Sequence, residues 1–193
     1  LKRLWKAVHA HLAKGNVAGG IDVTALDDDQ RALRCKTHET IAKVSDDYGR
    51  RQTFNTAIAA VMELLNEIAR RGERSTPQGL AVEREALEAA VLLLAPVVPH
   101  ASHALWRALG HDTPVIDAPW PLAGASAMQR SHIELVLQVN GKLRARISVP
   151  SDAQREELER LALADANVQR FVDGKPVRKV VVVPGKLVNV VVG

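Results

Sequence analysis

The sequence predicts two domains. An all-α antiparallel helix bundle spans 1–128, and a small α+β domain, a four-stranded sheet with helices on one side, spans 129–193. Three observations predict this. The hydrophobic period is helical before residue 110 and becomes two after residue 131. Between them lies a turn-rich stretch with Gly110, Pro114, Pro119, Pro121 and Gly124, which reads as a wrapped connection over 110–128 followed by a linker. The charge also changes at this boundary. Residues 1–128 carry 15 Lys+Arg against 15 Asp+Glu, and 129–193 carry 11 against 7, so the whole net +4 sits in the last third.

Each helix has its own signals. Residues 1–14 form an amphipathic helix with no N-cap and no initiator Met before it, which predicts a chain cut from something longer. The far end, a strand over Leu187–Val192 closed by Gly193, reads as a genuine terminus. Asp27 and Gln30 stand as an N-cap and its capping-box partner. After them Leu33, Thr37, Ile41, Val44 and Tyr48 share one helix face, and Gly49 is expected to break it. A further helix places Phe54, Ile58, Val61, Leu65 and Ile68 in the core and stops at Gly72. Thr76-Pro77 opens the next, with Leu87, Val91 and Leu94 on one face and Leu92 and Leu93 widening it. Pro96 and Pro99 interrupt it, and a last helix carries Ala101, Leu105, Ala108 and Leu109. That makes five helices, with Gly15–Leu26 the longest loop between them.

The second domain opens with a hairpin. Ile133, Leu135 and Leu137 alternate with polar or outward positions, as do Leu143, Ala145, Ile147 and Val149. A two-residue Asn140-Gly141 loop would set Leu137 opposite Arg144. A three-residue loop over 139–141 with a bulge and Gly141 left-handed pairs Leu137 with Leu143 and Leu135 with Ala145, and is expected for that reason. Ser151-Asp152-Ala153-Gln154 reads as a capping box opening a helix, and Val168, Phe171 and Val172 mark a second, shorter one. Strands over Val177–Val183 and Leu187–Val192 then meet at Pro184-Gly185.

The residue types exclude several classes. With 47% apolar and 25% charged residues the chain is not a disordered one. No apolar run approaches a membrane span, and no signal peptide is present. The lone Cys35 cannot close an internal disulfide, so a cytoplasmic location is expected. No phosphate loop, nucleophile elbow or zinc spacing occurs, so no catalytic residue, metal ligand or cofactor site is assigned. His100 and His103 lack a third ligand, and Asp27-Asp28-Asp29 fits a helix N-terminus better than a metal. The basic excess reads either as an ordinary surface or as a surface for a polyanion.

Several runs resemble a known family. Arg50-Arg51-Gln52-Thr53-Phe54-Asn55-Thr56-Ala57-Ile58 resembles a helix start in the anticodon-binding bundle of class I aminoacyl-tRNA synthetases for branched aliphatic amino acids. Leu93-Leu94-Ala95-Pro96 with Pro99-His100, then Leu105-Trp106 and Trp120-Pro121, is similar to further signatures of that bundle. Val139-Asn140-Gly141-Lys142-Leu143-Arg144 and Val183-Pro184-Gly185-Lys186-Leu187-Val188-Asn189 resemble the last domain of bacterial leucyl-tRNA synthetases. The resemblance implies a tRNA-binding piece of a ligase that charges tRNA(Leu) with leucine, using ATP and Mg²⁺ held elsewhere in the parent. The family's His-Ile-Gly-His-like and Lys-Met-Ser-Lys-Ser-like motifs are absent, so the piece itself is expected to be inactive. It implies tRNA and the remainder of the same polypeptide as partners, and a monomer. The rivals are a stand-alone RNA-binding adaptor and a protein-interaction bundle.

Candidates for RNA contact follow from position. In the bundle the helical period leaves Arg31, Arg34, Lys43, Arg50 and Arg51 outside. In the second domain Lys142, Arg144 and Arg146 are expected in one outward row, and Lys175, Arg178, Lys179 and Lys186 form the other basic concentration. Six aromatics, read as mostly buried, argue that the bundle holds RNA by shape and backbone rather than by base stacking.

Overall fold

The computed structural model describes residues 1–15, 20–70, 75–129, 132–151 and 153–193. Two compact units emerge, Leu1–Gln129 and Arg130–Gly193.

The first unit is helical: α1 (Lys2–Leu12), α2 (Asp28–Asp46), α3 (Phe54–Arg70), α4 (Pro77–Leu94) and α5 (Pro99–Ala108). The caps stand where the sequence puts them. Asp27 accepts from the Gln30 backbone while the Gln30 side chain bonds back, and Thr76 accepts from Gly79 N–H ahead of Pro77. The helices close on one core of fully buried side chains, among them Leu4, Leu33, Leu64, Leu65, Leu87, Leu93 and Leu105. Gly72, the expected stop of α3, lies outside the described residues.

Two details of the bundle depart from expectation. The second helix does not break at Gly49. It passes into a π-helical turn over Asp47–Arg51 and ends at Gln52, whose φ of 54° is left-handed. Asp47 is the reason. Its carbonyl accepts Thr53 N–H, and its buried carboxylate accepts from Lys43 Nζ (2.8 Å), Thr56 Oγ1 (2.8 Å) and Thr53 Oγ1 (3.2 Å), which ties the end of α2 to the start of α3. Phe54 is not core. It opens α3, beyond the packed turns that begin at Ala57, and is 54% exposed with its ring 5.4 Å from that of Tyr48.

The proline-rich stretch after α5 is pinned along the bundle. Trp120 Nε1 donates to Ser45 Oγ (2.8 Å), Gly124 N–H donates to His38 Nδ1 (3.0 Å), and Cys35 Sγ lies 3.5 Å from the Met128 carbonyl. His38 is buried; accepting at Nδ1, it carries its proton on Nε2, 3.3 Å from Glu85 Oε1.

The second unit has β1 (His132–Val139), β2 (Lys142–Pro150), α6 (Arg155–Ala164), α7 (Ala166–Val172), β3 (Val177–Val183) and β4 (Leu187–Val192). The sheet order is β2-β1-β4-β3, with β1 and β4 parallel and both outer pairs antiparallel. Leu135, Leu137, Val139, Val149, Val188 and Val190 bury one face against Leu158 and Ala162 of α6 and Val168 of α7. The helix after β2 starts later than the expected capping box. Gln154 is its N-cap, with no side-chain capping hydrogen bond to the helix, and Asp152 of that box lies outside the described residues.

The hairpin resolves its register differently from the expected three-residue loop. Asn140 (φ 49°) and Gly141 (φ 76°) form a two-residue turn with both residues left-handed, the geometry that suits twisted strands. The bulge sits inside β2 instead. Leu137 pairs with Ala145 and Gln138 with Leu143, so Arg144 is the extra residue. Leu135 therefore pairs with Ile147, and Leu143 turns out of the core to 54% exposure. The turn is also stitched to β4. Asn140 Oδ1 accepts from Val192 N–H (3.0 Å), Asn140 Nδ2 donates to the Val192 carbonyl (3.2 Å), and Gly141 N–H donates to Asn189 Oδ1 (3.0 Å).

Candidate nucleic-acid interface

The bundle's five candidate cations are all held by the bundle itself. Arg31 donates through Nε and Nη2 to the Leu26 carbonyl, and Arg34 Nε lies 3.2 Å from Glu85. Lys43 bonds Asp47 at 2.8 Å, and Arg51 lies 3.6 Å from the same carboxylate. Arg50 grips Asp46 with two bonds of 2.6 and 2.8 Å. The titration behaviour agrees. The Arg50 guanidinium holds the Asp46 carboxyl below its usual range and is itself raised, and the hydrogen bond from Lys43 holds the Asp47 carboxyl below its usual range despite burial. These cations stiffen the α2–α3 corner first.

The second unit's basic residues fall out otherwise. Lys142, Lys175, Lys179 and Lys186 are exposed, and none has an ion-pair or hydrogen-bond partner through its side chain among the described residues. Arg178 lies against Gly193, where a Cβ would meet its Nε at 1.9 Å. Lys142, Arg144 and Arg146 do not form one row. The bulge splits them: Arg146 pairs with Val136 on the face away from the helices, 3.7 Å from Glu134, whereas Arg144 turns to the helix side. There its guanidinium carbon sits 3.6 Å from the centre of the Phe171 ring on α7. Lys142 pairs with the buried Val139 at the mouth of the turn. Lys179 pairs with Val191, and Lys186 lies in the β3–β4 turn.

The aromatics are mostly not buried, which corrects the sequence reading. Of the six, Trp106 is 7% exposed, but Trp5, Phe54, Trp120 and Phe171 are 38–54% exposed. Tyr48 links Phe54 and Trp120, with ring centres 5.4 and 5.9 Å away. Near them an apolar cleft of about 330 Å³ is lined by Leu92, Pro96, Pro99, Val115, Ile116 and Trp120. From the sequence Phe171 only marks a short helix; its further signal is that it is the single Phe, Trp or Tyr after position 128. Among the described residues no group of three His, Cys, Asp or Glu could hold a metal, and no helix is long and apolar enough to cross a membrane.

The model of the family described as "Anticodon-binding domain of tRNA ligase" matches residues 30–160, about two-thirds of the chain. The chain belongs to this family. Among curated relatives, the leucine–tRNA ligase of Saccharophagus degradans is 65% identical over 191 residues, covering 99% of this chain and 23% of the relative. That of Chromohalobacter salexigens is also 65% identical, covering 99% and 22%. A solved LeuRS of Agrobacterium radiobacter, in a ternary complex with tRNA and LeuAMS, superposes with a TM-score of 0.78 at 29% identity, covering 100% of this chain and 24% of that one. The chain thus spans under a quarter of the length of these relatives. The helical unit followed by a small sheet unit is the architecture of that region of the ligase fold.

Proposed function

We propose that this anticodon-binding family member is the tRNA-holding part of a leucine–tRNA ligase, and that it takes no part in the chemistry. On this reading the rest of the polypeptide binds leucine, ATP and Mg²⁺, and this chain keeps tRNA(Leu) in place while the amino acid is joined. The parent acts as a monomer in the cytoplasm. The observation that carries the reading is the contrast in charge commitment between the units. Of the bundle's candidate cations, Arg34, Lys43, Arg50 and Arg51 are paired to carboxylates in place, whereas Lys142, Lys175, Lys179 and Lys186 stand free on a unit of net positive charge. Free, exposed ammonium groups can release the counterions of a phosphate backbone, and cations already paired to carboxylates gain much less by doing so. Arg146, Arg178 and Arg144 add to the same unit, and Arg31, Arg34, Lys43, Arg50 and Arg51 shape the bundle's side of the contact. The reading is supported by the likeness to a LeuRS solved with tRNA.

The test is a titration of labelled tRNA(Leu) with the 193-residue chain at several salt concentrations. Binding whose affinity falls steeply with salt is expected. Absence of binding, or binding indifferent to salt, refutes the reading. The chain alone should also show no leucine-dependent exchange between ATP and pyrophosphate.

A further inference from the structure

The bulge in β2 has a cost. It leaves Arg144 outside the ladder and turns an apolar residue, Leu143, out to solvent. A bulge re-aims a side chain, and here the re-aimed group is a guanidinium laid over Phe171 at 3.6 Å. Stacking does not bury the ring, which stays 41% exposed. The Arg144 Nε atom is buried with no hydrogen-bond partner among the described residues, so its ordinary polar needs are not what hold it there. The pair lies near the mouth of the hairpin turn, where Lys142 is exposed and unpaired.

With the guanidinium over one face of the ring, the pair offers the guanidinium plane and the exposed remainder of the ring as flat surfaces, and the free Lys142 stands two residues before Arg144 on the same strand. Every nucleobase has a π-face, and aromatic rings and guanidinium planes are the surfaces on which unstacked bases settle. We infer that Phe171 and Arg144 form a stacking platform for an exposed base of the bound RNA, with Lys142 taking an adjacent phosphate. This rests on the tRNA-holding reading above and adds a base contact to a surface otherwise read as backbone-only. The plain alternative is that Arg144 only shields an apolar ring from water.

The experiment compares the unmodified chain with Phe171→Leu and Phe171→Tyr by tRNA(Leu) titration, alongside chemical probing of base accessibility in each complex. Leu keeps an apolar side chain at the position but has no π-face; Tyr restores it. The expected result is a roughly 5- to 150-fold weaker Kd for Phe171→Leu, the usual size of one stacking contact, with an unchanged salt slope. At least one base protected by the unmodified chain becomes reactive again in the Leu variant, and Tyr binds as the unmodified chain does. Equal affinity and equal base protection for Phe171→Leu overturn the platform while leaving the tRNA reading intact. If the Leu variant melts early, base protection by the unmodified and Tyr chains decides instead: no base protected in either overturns the platform. An unmodified chain that fails to bind tRNA overturns both.

Discussion

Removing the free lysines of the second unit should change how tRNA binding responds to salt. The perturbation is the quadruple variant Lys142→Gln, Lys175→Gln, Lys179→Gln and Lys186→Gln. None of these side chains has an ion-pair or hydrogen-bond partner among the described residues, and all four are exposed, so the core packed on Leu135, Leu137 and Val188 is untouched. Each phosphate contact contributes about 0.7–0.9 to the slope of log K against log salt, so losing four flattens it by about 2.8–3.6. Between 50 and 200 mM salt, the variant should then lose about 50- to 150-fold less affinity than the unmodified chain. Fluorescence anisotropy of labelled tRNA across that range reads this directly. A control variant, Arg50→Gln with Arg51→Gln, removes two cations already engaged with Asp46 and Asp47 and should move the slope by less than about one contact's worth. A quadruple variant with an unchanged slope, or a control that flattens it by more, refutes the assignment of the RNA surface to the second unit.

Other expectations follow from single contacts. Asp47 is held below its ordinary range chiefly by the Lys43 hydrogen bond, so the stability it contributes is present above about pH 4 and lost as pH falls through its lowered value. Asp47→Asn should therefore give a shallower acid limb in tryptophan-monitored unfolding, which reports the first unit because Trp5, Trp106 and Trp120 all lie there; an unchanged limb refutes this. Leu64→Ala, at a fully buried site, should cost about 2–5 kcal/mol in urea unfolding read by the same fluorescence. Asn140→Gly should lose two hydrogen bonds to Val192, about 1–3 kcal/mol together, and Asn140→Ala about 1–2 kcal/mol more for the left-handed backbone. Amide exchange at Val192 should rank them, Ala fastest; the reverse order contradicts the strain account.

What was legible in the sequence was what is local. The caps at Asp27 and Thr76, the two last strands and the period change depend on neighbours three or four residues apart, and the structure has them where the residues predict. Gly49 was misleading because the competing signal was long-range. The π-turn continues past a glycine because Asp47 finds Thr53, just before the next helix, and Thr56 in its first turn. Phe54 misled for the opposite reason, since periodicity gives the face of a helix but not where along its length the packing begins.

The hairpin shows how the same limit reached the site. From its own residues, the only way to match two apolar rows across Asn140-Gly141 was to lengthen the loop. The chain instead keeps the tight turn, because Asn140 must reach Val192 and Gly141 must meet Asn189, partners about fifty residues away. With the turn fixed from outside, the mismatch has to be absorbed further along, and β2 absorbs it at Arg144. Had the loop been longer, Arg144 would have stayed in the ladder and pointed away from the helices with Arg146, one more charge in a row. The bulge carries it across to Phe171, and a stripe of three cations becomes an exposed ring with a guanidinium on it. The basic residues of this unit are readable as a charge, but which face each of them is given to is decided by a register constraint from the far end of the chain.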